Sequence, residues 1–426
     1  MFISNNIKNS SVIDFNNNSK NLSYDLIYSD FSWKPSIEWV DNAFVSAQTV
    51  RDNTNRLHIN NKNISLFNGC VYRANGEVVF SSLHRGSGDL VNIADLDPKI
   101  YSLPDVRLEG TWLFGGLLKV DFGHFLTESL GRLWALQHLS EKIEGVVFII
   151  MNGVPNPKFA NDGIFTLDTL KTSAKNALTL WPFIHEILNI LCPTLKIHVV
   201  GIPTHVERLI VPSQLMGLCP GDLIGGHQFY RDALRSSFGF NPPSAPRKLY
   251  VSRAGMSVKS GKFFAEEQIE GIFESQGFTI VRPENLSITQ QLEIYSSHSH
   301  IVLATGSASH MLALNVGHFH KIVLLHRHPK AWRGFRKQLE IMGAGEILEL
   351  DLNKSQFTPR HRTSQEMISA RMIYEIDFPK LWNELIKFGF VDGEAPKITN
   401  QEIEREKTLF LLSQSYGGVE FCVQDL

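Results

Sequence analysis

Arg247-Lys-Leu-Tyr-Val-Ser-Arg253, Phe278-Thr-Ile-Val281, Ile301-Val-Leu-Ala-Thr-Gly306-Ser-Ala-Ser-His310 and the run 321–325 are the stretches whose reading decides the fold. Apolar segments of strand length alternate with amphipathic segments of helical period. The pattern predicts strand 248–252, helix 265–276, strand 278–281, helix 288–297, strand 300–304, helix 308–316 and strand 321–325. Such alternation is the mark of a parallel sheet with crossover helices. Ser287-Ile-Thr-Gln290 has the form of a capping box and fixes a helix start at Ile288. An apolar strand that runs into small residues and then a helix, as at 301–310, is how α/β proteins hold a phosphate: the first-turn N–H groups and the helix dipole both favour an anion. An arginine at a neighbouring strand end, Arg253, adds a fixed cation. The stretch points to a phosphorylated ligand, a nucleotide.

Outward from it, Asn241-Pro-Pro-Ser-Ala-Pro246 is the clearest linker, since clustered prolines stop any element from crossing. It divides a front domain, 26–240, from a nucleotide-binding domain, 247–345. Residues 1–25 read as a polar arm, and 346–426 as a tail whose helix near 381–388 returns to brace the front domain. In the front domain, 67–72, 77–81, 110–114, 146–151, 197–200 and 208–211 read as β elements. A helix is expected from Gly123 to about Leu139, with Phe125, Leu126, Leu130, Leu133, Trp134 and Leu136 on its apolar side, and another over 181–191.

The 426 residues exceed one ordinary core, so two domains of about 150–250 residues are expected. A net charge of −2 removes the electrostatic case for nucleic acid. No apolar run reaches the roughly 18 residues that span a bilayer, and the Asn- and Ser-rich start is unlike a signal peptide. Cys70, Cys192, Cys219 and Cys422 are scattered, without a CxxC pair, and read as reduced packing residues of a cytoplasmic protein.

Several groups are candidates for chemistry. His124 and Glu128 lie four apart, one face of a helix, where the pair can take a proton from a hydroxyl. The plain alternatives are a surface pair or a buried, satisfied histidine; a metal reading lacks a third ligand at recognisable spacing. Asp95-Leu-Asp97 has the form of a diphosphate-bridging cation motif but, in a polar loop before Pro98, reads as a solvated turn. Gly306-Ser307-Ala308-Ser309 sits at the C-terminal edge of the sheet, where α/β ligands bind, and lacks the lysine of a Walker loop. The basic, aromatic-interleaved run His326–Lys337 reads as a solvated face or as a contact for anionic lipid or a nucleotide phosphate.

Taken together, Arg247-Lys-x-Tyr-x-Ser-Arg253, Glu266, Gly277-Phe278, Glu284-Asn-Leu-Ser-Ile-Thr-Gln-Gln291, Thr305-Gly-Ser-Ala308 and Gly123-His-Phe-Leu-Thr-Glu128-Ser-Leu-Gly-Arg-Leu-Trp resemble the family 61 glycosyltransferases, among them bacterial capsular-polysaccharide biosynthesis proteins. The resemblance implies a GT-B-like α/β fold, two Rossmann-like domains facing a central cleft. It implies inverting transfer from a nucleotide sugar to a glycan or lipid-linked saccharide acceptor, with no obligatory metal and no other cofactor. Carried over, Glu128 is the base, with His124 beside it. Arg253 holds the donor phosphate, Thr305, Gly306, Ser307, Ala308 and Ser309 form the phosphate-facing turn, and Glu266, Glu284 and Gln291 support it. The chain departs from the family with Thr305 in place of His and Ala265 in place of Asn. A cytoplasmic enzyme touching the inner membrane peripherally is the expected setting. The alternative is a non-catalytic nucleotide-sugar or glycan-binding protein on the same fold.

Overall fold

The computed structural model describes residues 35–46, 57–59, 62–64, 69–84, 106–151, 176, 178–179, 181–218, 222–239, 243–256, 261–327, 334–361, 373–414 and 419–425. The expected polar arm, the Asp95-Leu-Asp97 motif, Cys219 and positions 328–333 of the basic run lie outside them. The chain is an α/β protein of two compact units: Met1–Val120, Thr127–Leu180 and Thr194–Ala233 form one, and Asp121–Leu126, Trp181–Pro193 and Leu234–Leu426 the other.

Unit one is built largely from β strands. In chain order these are β1 (Ile37–Val45), the hairpin strands β2 (Leu57–Ile59) and β3 (Lys62–Ile64), β4 (Val71–Tyr72), β5 (Val106–Lys119), β6 (Gly145–Met151), β7 (Lys196–Val200) and β8 (Thr204–Pro212). Six of them form one sheet in the order β4-β1-β8-β5-β6-β7. Strands β8, β5, β6 and β7 run parallel, and β1 and β4 add antiparallel pairings. The continuous apolar sequence of β6 suits the middle of a parallel sheet, and Val146–Ile150 are all buried. Val40, Trp112, Phe114, Val147, Ile149 and Leu209 belong to its core.

The helix expected over 123–139 is broken. A helical turn at Phe122–His124 passes into a wide π turn at Phe125–Ser129, and a 3-10 segment follows at Leu133–His138. Residues 77–81, expected as a strand, give only an isolated Tyr72–Val78 bridge before a 3-10 turn at Phe80–Ser82.

Unit two carries the alternation read in the sequence. Its helices include α1 (Pro182–Leu191), and α2 (Gln228–Phe238) leads into it. Then follow β9 (Lys248–Val251), β10 (Lys262–Phe263), α3 (Glu266–Ser275), β11 (Phe278–Val281), α4 (Ile288–Ser296), β12 (His300–Ala304), α5 (Ser307–Ala313), β13 (Lys321–Leu325), α6 (Gly334–Met342) and β14 (Glu346–Leu350). The tail adds β15 (Asn353–His361), β16 (Ile373–Ile376), α7 (Phe378–Lys387), α8 (Asn400–Gln414) and β17 (Val419–Asp425). The capping box forms as expected: the Ser287 hydroxyl accepts from Gln290 N–H, and Gln290 Oε1 accepts from Ser287 N–H.

The five-stranded sheet has the order β11-β9-β12-β13-β14, and every pairing is parallel. Counted along the chain this is 2-1-3-4-5, the flavodoxin-like doubly wound order. Strands β10, β16, β15 and β17 form a second, four-stranded sheet.

The described part of the tail belongs to unit two. Leu381, Trp382 and Leu385 of α7, with Phe390 and Val391, are buried in one core with Tyr250, Phe273, Val302 and Val323 of the five-stranded sheet and its helix α3. These residues present a strongly apolar helix face, and an open parallel sheet must bury both of its faces.

Candidate active site

The connections of the five-stranded sheet leave in opposite directions from β9 and β12, which are hydrogen-bonded neighbours with Val251 opposite Leu303. In doubly wound folds the crevice at the carboxyl ends of such a strand pair is where ligands bind. Arg253 stands two residues beyond β9, and Gly306 two residues beyond β12. The structure thus brings the two features singled out in the sequence to one edge of one sheet.

Arg253 is fixed from both ends. Its backbone N–H donates to Glu266 Oε1 at 2.7 Å, and its Nε–H donates to the Gly261 carbonyl at 3.0 Å. Glu266, 2% exposed, also accepts the Phe263 N–H at 3.3 Å and the Tyr250 hydroxyl at 3.3 Å. Burial pushes the Glu266 carboxyl above its ordinary range, opposed by these donors and by the Arg253 charge. Glu266 is therefore a brace that ties the end of β9 to β10, rather than a group presented to solvent. Glu284 is exposed and reaches over Gly255, so close that a Cβ there would strike its carboxylate. With Glu266 it favours the charged form of Arg253, against a larger effect of burial. Gln291 spends its amide on the loop before α4, donating to the Pro283 and Leu286 carbonyls at 3.0 and 3.2 Å.

At the other strand end, Thr305 is buried and its N–H donates to the Leu325 carbonyl at 2.9 Å. Ser307 is exposed, Ala308 half-buried, and Ser309 wholly buried. The Ser309 hydroxyl has no hydrogen-bond partner among the described residues. Gly306 lies between two arginines. The atoms nearest to where a Cβ on residue 306 would stand are Arg327 Nη2 at 3.3 Å and Arg253 Nη1 at 3.4 Å.

Arg327 belongs to the basic run but was not picked out of it. It follows β13 by two residues, as Arg253 follows β9, and its Nε–H donates to the Thr305 carbonyl at 2.7 Å. Burial, reinforced by the Arg253 charge, brings its guanidinium down to about 9. The equal offset from two strands flanking β12 was the sequence signal that could have found it.

The segment carrying His124 packs against the same region. A Cβ on Gly123 would come within 2.9 Å of Ser307 Oγ and 3.5 Å of His310 Cδ2, so a larger residue here would make the Ser307 hydroxyl shift. Phe122 and Phe125 meet Phe183 of α1 edge-on, at centroid distances of 5.1 and 5.7 Å. His310, buried, pairs its Nδ1 with Gln338 Oε1 at 2.7 Å.

His124 and Glu128 fall in different compact units, and the wide turn between them disrupts the regular i,i+4 register. In unit one, Glu128 Oε2 lies 2.8 Å from Lys119 Nζ and 3.2 Å from His84 Nε2. All three side chains are buried. Burial pushes the His84 imidazole below its usual value; Glu128 opposes this, while Lys119 and Arg132 add to it. The backbone around the group is held by Ser129, whose hydroxyl accepts the Lys119 N–H at 2.9 Å. Arg132 donates to the Leu83 carbonyl at 2.7 Å and to those of Ser81 and Pro212. His84, Lys119 and Arg132 were not read from the sequence, because their partners are remote along the chain.

Among the described residues, no three His, Cys, Asp or Glu side chains gather into a group that could hold a metal ion. No helix among them is long and apolar enough to cross a membrane. Cys70 and Cys192 are buried free thiols, each pushed up to about 12 by burial. No curated protein matches the chain. Residues 122–314, which run from the turn beside Gly123 through the Arg253 and Gly306 strand ends to the close of α5, match the family model described as Glycosyltransferase 61.

Proposed function

We propose that the protein is an inverting glycosyltransferase that moves a sugar from a nucleotide-sugar donor to a hydroxyl of a glycan acceptor, in the manner of bacterial surface-polysaccharide synthesis, on a GT-B-like fold. The observation that carries the reading is the placement of Arg253 and Gly306 at the switch point of a doubly wound sheet, within the segment that matches the family. A guanidinium there meets the donor phosphates as a geometric fork, and it stabilises the charge that develops on the leaving group. Glu128 is assigned the proton of the acceptor hydroxyl, with His124 as its supporting group. Lys119, 2.8 Å from Glu128, pairs with the carboxylate charge that this role requires. Transfer proceeds without an obligatory metal, so activity should persist in a chelator.

A panel of nucleotides and nucleotide sugars screened by thermal shift identifies the donor. A ligand at 100 times its Kd stabilises the native state by about 2.7 kcal/mol. With that donor, Glu128→Gln is expected to lower turnover at least a hundredfold while donor binding persists. Turnover equal to wild type removes Glu128 from the chemistry. Thr305 supports a second reading. The position where the family has His holds a buried threonine whose backbone groups are both engaged. A protein that binds the nucleotide sugar without consuming it would show the thermal shift and no donor loss with any acceptor offered.

A further inference from the structure

We propose that Arg327 is a second phosphate-binding residue, paired with Arg253, and that the two guanidinium groups together take a diphosphate rather than a single phosphate. This rests on the nucleotide-sugar reading and adds to it a residue and a charge requirement. The argument is geometric. Strand β12 is flanked by β9 on one side and β13 on the other. Each flanking strand is followed, at its second residue, by an arginine, and the residue at the same offset from the central strand is Gly306. The two side chains therefore reach the same spot from opposite sides: their terminal nitrogens lie within 3.4 Å of one point beside the Gly306 Cα.

Both forks are held at the root. The Nε–H groups are committed to the Gly261 and Thr305 carbonyls, which orients the Nη ends. Like charges brought this close, in partly buried surroundings, weaken one another, and Arg253 does depress the Arg327 guanidinium. An anion with oxygens on two phosphorus atoms relieves that repulsion and presents an acceptor to each fork, which a single phosphate does less well. The glycine between them leaves the approach open to the phosphate oxygens.

The test uses the full chain and isothermal calorimetry with UDP, GDP and ADP, their monophosphates, and inorganic pyrophosphate. Wild type is expected to bind one nucleoside diphosphate at least tenfold more tightly than its monophosphate. Arg327→Gln should bind that diphosphate at least tenfold more weakly, with its affinity for the monophosphate changed less, so that the gap between them narrows. A folded Arg327→Gln that binds the diphosphate within twofold of wild type overturns the proposal while leaving the nucleotide-sugar reading standing. A wild-type protein that binds none of the probes sinks both. Should the variant fail to fold, phenylglyoxal labelling of wild type, mapped by mass spectrometry, decides the matter. The bound diphosphate must slow modification of Arg253 and Arg327 alike, and protection of Arg253 alone refutes the pairing.

Discussion

Gly306→Ala adds one methyl group at the point on which the candidate site converges, and its consequences for stability and for binding separate cleanly. The backbone there has φ of 158° and ψ of −163°, a region that residues with a Cβ rarely enter. Holding alanine in such a conformation costs of order 1–3 kcal/mol. The new Cβ would stand 3.3 Å from Arg327 Nη2 and 3.4 Å from Arg253 Nη1, slightly inside ordinary contact. Both are the far ends of long side chains, which can retreat by a few tenths of an ångström, so contact adds little to the loss. Stability should therefore fall by about 1–3 kcal/mol. The melting temperature then drops by roughly 2–4 °C for each kcal/mol, taking a cooperative unit of about 200 residues. Binding responds more strongly, because the methyl group occupies the ground between the two guanidinium tips. Losing one charge-assisted hydrogen bond of about 1.5–3 kcal/mol weakens nucleotide affinity by roughly 10–100-fold. The control is Gly271→Ala. That glycine lies on the exposed side of α3 with nothing within 4 Å of a new Cβ, and the change should stabilise by about 0.5–1 kcal/mol. Differential scanning fluorimetry reads the first quantity and calorimetry the second. Nucleotide affinity unchanged in Gly306→Ala, with the protein folded, would show that no ligand passes this glycine.

Two further outcomes follow from buried groups. Lys119→Met leaves Glu128 as a buried carboxylate without its ammonium partner, at an expected cost of about 3–5 kcal/mol in denaturant unfolding; Lys119→Met combined with Glu128→Gln should recover part of it, and a loss under 1 kcal/mol in the single variant contradicts the pairing. Acid should destabilise the protein through His84 and His320, which are 3% and 1% exposed and held below the ordinary histidine range chiefly by burial. Their neutral forms are favoured in the fold, so their contribution is intact above about pH 6.5 and falls away as pH drops towards the folded values, by about 1.4 kcal/mol per group per pH unit. A melting temperature that stays flat from pH 7 to 5.5 refutes this.

The parallel half of the fold was legible because its physics is local. A strand buried on both faces shows as a short, unbroken apolar run, and a crossover helix shows as a periodic one between turn residues. Strands 278–281, 300–304 and 321–325 match the sequence reading residue for residue. The front unit was harder, since its order depends on contacts between remote residues. Strand β5 runs through Gly110, Gly115 and Gly116, which interrupt the apolar pattern, so only its middle was anticipated. Two contacts with remote residues accompany the break in the 123–139 helix. A Cβ on Gly131 would meet the Met216 carbonyl oxygen at 2.6 Å, and Arg132 is anchored by carbonyls of residues 81, 83 and 212. The residue that opens α3 gains a physical meaning only from the backbone. Ala265 has φ of 55°, a left-handed conformation in which asparagine is several times more at home than alanine.

The same contrast explains why one of the two arginines beside Gly306 was visible in the sequence and the other was not. Arg253 follows a strand and precedes a turn, so its position at a sheet edge could be read directly. Arg327 also follows a strand, but it opens a run of basic residues in which no single charge stands out. What distinguishes it is a relation among three strands. In a parallel sheet all strands point the same way, so residues at equal offsets past neighbouring strands arrive at one edge. With β12 between β9 and β13, that rule alone puts the glycine between the two arginines before any side chain is considered. Strand order cannot be read from one strand's sequence, because pairing depends on how the crossovers wind. Once the order is known, the convergence of the two guanidinium groups on Gly306 is a consequence of topology, and the chemistry at that edge follows from the offset at which each arginine was placed.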